Sequence, residues 1–108
     1  MAIAKAQTKY VRMSASKINE VLDRIRGKEV EEAYRILRVT NKRAARPVKK
    51  TLESAVANSD SHGMTEGLRV KTAWAGPGPS LKRLRPRAMG RADIYKRRTA
   101  HIKIEVEQ

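Results

Sequence analysis

Apolar side chains recur at helical spacing through the first half of this chain and at strand spacing near its end. Ile18, Val21, Leu22 and Ile25 fall at i, i+3, i+4 and i+7, which lines them along one face of an α-helix. Ser14 or Ser16 can cap its start, and Gly27 suits the left-handed position just past its end. Val30, Ala33, Tyr34 and Leu37 predict a second helix, with Glu29, Glu31 and Glu32 early, where negative charge complements the helix dipole. A third helix is expected from a cap at Thr40 or Asn41 to about Asn58, with a stripe of Ala44, Ala45, Val48, Leu52, Ala55 and Val56. Pro47 lies too deep for that cap, so the helix either bends there or begins near Arg46.

Small polar residues from Ser59 to Gly67 predict a loop. Leu68, Val70, Thr72 and Trp74 then alternate with Arg69, Lys71 and Ala73, the period of a half-buried strand that places Trp74, like Tyr34, in the core. Ala100, Ile102, Ile104 and Val106 alternate with His101, Lys103, Glu105 and Glu107 in a second strand, and a shorter one is expected around Lys9 to Arg12. The fold class is α+β: three helices packed on a small three-stranded antiparallel sheet, with a long protruding basic β-hairpin. Residues 1–108 make one domain, its globular part about 1–74 plus 99–108 and its extended hairpin about 75–98. If residues 70 to 104 form one hairpin, its tip falls near Ala88. Eighteen residues at ~3.3 Å each give an arm of up to ~60 Å, long against the ~13 Å radius of gyration of a compact chain this size.

Charge sharpens this picture. The chain holds 25 Lys and Arg against 11 Asp and Glu, a formal net charge of +14, and such a compact state repels itself until a polyanion neutralises it. The excess concentrates between Ser80 and Thr99, where Lys82, Arg83, Arg85, Arg87, Arg91, Lys96, Arg97 and Arg98 face the single acid Asp93. A core cannot be built from such a segment. Leu81, Leu84, Pro86, Ala88, Gly90, Ala92 and Ile94 punctuate it, so it is a shaped arm that a densely charged partner would order, and RNA is the polyanion that rewards such a shape. There is no Cys, hence no disulfide and no thiolate metal site, and no apolar run near the ~20 residues of a membrane span. Residues Met1 to Tyr10 lack the apolar stretch of a secretory signal, so a soluble, intracellular chain is expected.

The runs Gly78-Pro79-Ser80-Leu81-Lys82-Arg83, Pro86-Arg87-Ala88-Met89-Gly90-Arg91-Ala92-Asp93-Ile94 and Lys96-Arg97-Arg98-Thr99-Ala100-His101-Ile102 closely resemble the large-subunit ribosomal protein L-twenty-two family, of bacterial type. Arg12-Met13-Ser14, Ile25-Arg26-Gly27-Lys28 and Leu52-Glu53-Ser54-Ala55-Val56-Ala57-Asn58 fall in matching order upstream, so the resemblance covers nearly the whole chain. It implies an early-assembling constituent of the large ribosomal subunit, cytoplasmic and bound to large-subunit rRNA. The globular part would sit near the exit of the peptide tunnel. The hairpin would line the tunnel beside protein L-four, its tip of Arg87, Ala88, Met89, Gly90, Arg91 and Ala92 facing the nascent polypeptide. Two departures stand out. Gly76 and Pro77 occupy positions where members often carry acids, leaving the hairpin base less acidic and stiffer, and Thr99-Ala100-His101 replaces Thr-Ser-His.

Arg83, Arg85, Arg87, Arg91, Arg97 and Arg98 are accordingly assigned to rRNA phosphate contacts or base stacking, for which the planar guanidinium fork is suited, with Lys82 and Lys96 as point charges. Lys42, Arg43, Arg46, Lys49 and Lys50, opposite the apolar stripe of the third helix, form a second candidate contact. Arg12 and Lys17, with Ser14 and Ser16 at the first helix's start, form a third. Chemistry is not expected. His62 lies in a polar loop, His101 points away from its strand's apolar face, and two His without Cys or clustered carboxylates make no metal set. Gly76-Pro77-Gly78 lacks the Gly-Lys-Ser/Thr of a phosphate loop. No catalytic residue, cofactor, membrane partner or homo-oligomer is expected. Tyr10 and Tyr95 can stack on bases, but at 4% aromatic content the chain is not built as a platform for successive bases. A DNA-binding module would use a basic recognition helix and leave the hairpin unexplained. A membrane-surface protein would need basic and apolar faces on one exposed helix.

Overall fold

Antiparallel pairing of three strands organises the globular part. In a computed structural model, which describes residues 3–61, 67–86, 88–90 and 92–107, the chain runs β1 (Ile3–Val11), α1 (Ala15–Ile25), α2 (Val30–Val39), α3 (Ala45–Ser61), β2 (Arg69–Pro77), β3 (Leu81–Pro86), a 3-10 turn (Ala88–Gly90), β4 (Ala92–Arg97) and β5 (Ala100–Glu107). The sheet order is β1-β5-β2, and β3 and β4 form a separate two-stranded ribbon. The α+β class with three helices on a three-stranded antiparallel sheet is therefore as expected.

β5, the central strand, alternates strictly: Ala100, Ile102, Ile104 and Val106 are buried, and the residues between them are half-exposed. Against that apolar face pack α1 through Ile18, Val21, Leu22 and Ile25, and α3 through Val48, Leu52 and Ala55. Each large side chain buried in this way contributes about 1.5–3 kcal/mol. α2 adds Val30, Ala33 and Leu37, and Tyr34 lies half-buried against the same core, its hydroxyl pKa raised by burial and then by the nearby Glu53 carboxylate. No helix among the described residues is long and apolar enough to cross a membrane.

Three local expectations change, and one open alternative, a third helix beginning near Arg46, is met. β1 begins at Ile3, not near Lys9, because Ala4, Ala6 and Thr8 are too small to announce the alternation they follow. α3 starts at Ala45, which puts Pro47 in the first turn, where its missing N–H has no intrahelical partner to lose. The same helix runs on through Ser59, which is buried with its hydroxyl bonded to the Val56 carbonyl, so the loop begins later than its polar composition suggests. Trp74 is not core. β2 carries one extra residue at Lys71, between the pairs Val70↔Val106 and Thr72↔Glu105, and this bulge inverts the faces beyond it. Ala73 and Ala75 turn inward and Trp74 outward, 46% exposed. Gly27 takes φ +79 after α1, as a glycine there should. Ser14 does precede α1, but its hydroxyl pairs with that of Ser16 and caps no backbone N–H of the helix.

Both free sheet edges are closed by side chains. Asn19 on α1 donates from Nδ2 to the Ala75 carbonyl at 3.1 Å and accepts from the Ala75 N–H at 3.0 Å, as a neighbouring strand would. Arg26 reaches the Ala73 carbonyl through Nε (2.9 Å) and Nη2 (2.6 Å). The α1–α2 connection continues the cover, the Gly27 N–H donating to Val70 O and the Val30 N–H to Leu68 O. On the β1 side Asn58 Nδ2 donates to the Lys5 carbonyl at 2.8 Å, and the Thr8 and Thr51 hydroxyls meet at 2.7 Å.

Candidate nucleic-acid interface

Beyond the sheet the edge strand β2 and the central strand β5 run on as the arm. β2 and β5 pair to Pro77↔Ala100, and β3 and β4 resume at Leu81↔Arg97, three residues intervening on one side and two on the other. Thr99 fastens this joint: its carbonyl accepts from the Gly78 N–H at 2.9 Å and its hydroxyl donates to the Pro79 carbonyl. The ribbon's last pair is Pro86↔Ala92. The turn beyond it carries Met89 at φ 63 and Gly90 at φ 72, with the Met89 side chain 96% exposed. The molecule measures 63 × 25 × 16 Å with a Cα radius of gyration of 17.0 Å, against the ~13 Å of a compact chain of this length. The expectation of a projecting arm with its tip near Ala88 matches this geometry.

Where the arm leaves the globule, a cleft of about 500 Å³ opens, lined among the described residues by Arg12, Met13, Lys17, Glu20, Lys42, Arg43, Ala44, Arg97 and Arg98. Arg12 and Lys17 come from the β1–α1 junction, Lys42 and Arg43 from the turn leading into α3, and Arg97 and Arg98 from the arm's returning strand. Six candidate cations remote in sequence thus share one concavity with one acid, Glu20, whose carboxylate lies 3.4 Å from Lys42 Nζ. A smaller concavity beside it, about 330 Å³, includes Ser14, Ser16, Ser80 and again Arg98.

The remaining candidates lie elsewhere. Arg46, Lys49 and Lys50 are exposed on α3 at i, i+3 and i+4, one face of the helix. Lys42 and Arg43 precede that helix, so the five cations expected on one helical face divide between it and the cleft. Lys82 is exposed on β3, opposite Lys96 in register. Arg83 pairs with Tyr95 and Arg85 with Asp93 along the ribbon backbone. The side chains of Arg83, Arg85 and Lys96 lie outside the described residues, as do His62, Arg87 and Arg91 altogether. No group of three or more His, Cys, Asp or Glu able to hold a metal occurs among the described residues. Sequence reasoning missed Met13 and Glu20 in the cleft, and Asn19 and Arg26, which hold the strand feeding the arm. Asn19 had a legible signal, a polar residue directly beside the apolar stripe of α1.

Fold and surface define the class, a small basic α+β protein with an extended β-arm. Comparison with known proteins makes this specific. The model of the family "Ribosomal protein L22p/L17e" matches residues 6–107, and the chain belongs to that family of structural, non-enzymatic ribosomal proteins. "Large ribosomal subunit protein uL22" of Thermus thermophilus is 56% identical over 103 residues, covering 94% of this chain and 91% of the relative. The protein of the same name in Thermoanaerobacter sp. (strain X514) is 52% identical over 107 residues, covering 97% and 96%. That in Desulfitobacterium hafniense (strain Y51) is 50% identical over 108 residues, covering 98% and 95%.

Proposed function

We propose that the protein is a structural constituent of the large ribosomal subunit in the cytoplasm, docked on rRNA through the cleft and the arm. The observation that carries this reading is the convergence of six cations from three segments on a single cleft at the arm's base. The cube root of its volume is about 8 Å, and at that separation two like charges repel by roughly 0.5 kcal/mol even in water. A phosphate backbone entering the cleft relieves that repulsion and releases its own counterions. Arginine forks fit its oxygens in pairs. The relatives' names supply the large subunit, and family membership favours rRNA as the polyanion.

The arm supports the finer reading. A ribbon with an exposed turn and a cationic flank can thread between RNA segments, dock early in assembly, and present its tip to a passage. On this reading the tip, Arg87 to Ala92, lines the nascent-peptide tunnel beside protein L-four. A DNA-binding module would leave the arm without a purpose, and the apolar stripes of all three helices are already committed to the core.

Sucrose-gradient sedimentation of a tagged copy in cell lysate, with and without RNase, tests the proposal. Comigration with the large subunit that survives a high-salt wash and collapses with RNase is expected. Sedimentation as free protein, or salt-labile attachment to any nucleic acid, overturns it. Arg83→Glu with Arg85→Glu should weaken rRNA binding and leave the circular-dichroism melt of the globule unchanged; unfolding would make the arm part of the core.

A further inference from the structure

We infer that the open face of the three-stranded sheet is a second RNA contact, where one unpaired base stacks on Trp74. All three helices cover the opposite face, that of Ala73, Ala75, Ile102 and Ile104. The bulge at Lys71 delivers Trp74 to the open side, and Gly76, two residues on, lies against the edge of its ring. A Cβ built at Gly76 would stand 2.5 Å from Trp74 Cζ3 and 3.4 Å from both Cε3 and Cη2. The six-membered ring therefore abuts the bare Gly76 backbone along its Cζ3 edge, an approach only glycine permits, while 46% of Trp74 stays open to solvent. A flat ring fixed in advance loses little freedom when a base lands on it.

The neighbouring strand extends the patch. His101 sits opposite Gly76 in register, and its ring meets that of Tyr10 edge-on, centroids 5.1 Å apart at 86°. Tyr10 adopts φ 61, a left-handed conformation uncommon outside glycine, and its N–H donates to His101 Nδ1 at 3.1 Å. With Nδ1 accepting, the neutral imidazole carries its proton on Nε2, a donor for a base edge or phosphate. Lys103 lies directly opposite Trp74 and is ion-paired with Glu105 at 3.7 Å, and Lys5 stands opposite Glu105 on β1, so this part of the face carries two cations to one carboxylate. That charge balance suits a nucleotide. It does not suit a protein partner, whose interface centre would require a contiguous apolar patch, whereas here polar Gln7 and Thr72 separate the large apolar side chains. A single stacked base also fits a chain with so few aromatic residues.

The inference rests on the rRNA reading, and the test separates the two. Trp74 is the only tryptophan, so its emission reports on the site directly. The full chain is titrated with a single-stranded oligoadenylate and with a duplex RNA of equal length. The oligoadenylate should quench the emission and the duplex should not. Trp74→Leu should lower affinity for the oligoadenylate by about 5- to 150-fold, the usual range for losing one base stack, and Trp74→Phe should restore part of it. Gly76→Ala keeps the tryptophan but drives a Cβ into the Cζ3 edge of its ring and displaces it, and should abolish the quenching with the melt otherwise retained. Filter binding of large-subunit rRNA is measured alongside. Undiminished rRNA binding with unquenched emission and an indifferent Trp74→Leu would overturn the stacking site alone, whereas failure to bind any rRNA would remove the reading beneath it. Retention of Trp74→Leu on naked rRNA with loss from assembled subunits would make the face a protein contact and overturn the inference.

Discussion

Asn19 replaces a strand with a single side chain, and removing it should cost more than its modest size suggests. Its amide both donates to and accepts from the Ala75 backbone, two residues before β2 ends at Pro77. Asn19→Ala leaves that N–H and C=O without partners at a part-buried edge. A net hydrogen bond contributes about 1 kcal/mol, and an unsatisfied buried group costs about 1–3 kcal/mol. Because solvent reaches part of this edge, about 2 kcal/mol for the pair is the working figure. Unfolding entropy of about 2.1 cal/mol/K per residue over the 108 residues of the chain converts this to a fall in Tm of about 9 °C. Thermal melts followed by circular dichroism measure that shift, and hydrogen exchange at the Ala75 amide locates it. Asn19→Asp, which keeps an acceptor but sets a carboxylate against the Ala75 carbonyl, should be no better than alanine. A Tm within about 2 °C of the parent, with Ala75 protection unchanged, would refute the idea that this amide holds the edge.

Other outcomes follow from the cleft, the tip and one turn. Arg43→Glu with Arg98→Glu removes two cleft cations, and should flatten the slope of log affinity for rRNA against log salt by about 1.4–1.8; a weaker affinity with the slope intact would mean the two side chains do not touch phosphate. Deleting residues 87–92 should leave comigration with the large subunit intact while altering the passage of nascent chains, read by in vitro translation of a stalling-prone message; complete loss of docking contradicts the assignment of the tip. Gly27→Ala adds a Cβ that meets nothing within 4 Å, so its cost comes from φ +79 alone. That cost is about 1 kcal/mol, or a Tm lower by about 4 °C, and an unchanged melt would show that the turn relaxes freely.

Much of this fold is written in alternation and helical spacing, and the exceptions have physical causes. β5 and the stripes of α1 and α2 read directly, because large aliphatic side chains alternate there with charge. β1 escaped because alanine and threonine carry too little hydrophobic contrast, although Ala4 is as buried as many larger residues. Trp74 was misplaced because a bulge obeys pairing to the neighbouring strand, and nothing in Arg69-Val70-Lys71-Thr72 announces it. Ser59 read as loop because composition cannot show that its hydroxyl returns to the Val56 carbonyl. At the interface each cation was visible singly. That Arg12, Arg43 and Arg98 share a cleft depends on how three distant segments are brought together by β1 and β5 pairing and the seating of α3.

The joint at Thr99 has a mechanical consequence. From Leu81 to Pro86 the ribbon spans five residue steps, about 16 Å at ~3.3 Å each, and ladder pairing lapses at its base. Over that lever a tilt of only about 10° would move the ribbon's far end by about 3 Å. A ladder unbroken from core to tip would resist such a swing with every hydrogen bond along it, and would pass the strain into the β5 core. A three-against-two spacing held by one threonine confines the bending to a few residues. Such a joint would let the globule seat first and the far end of the ribbon adjust afterwards without disturbing the core.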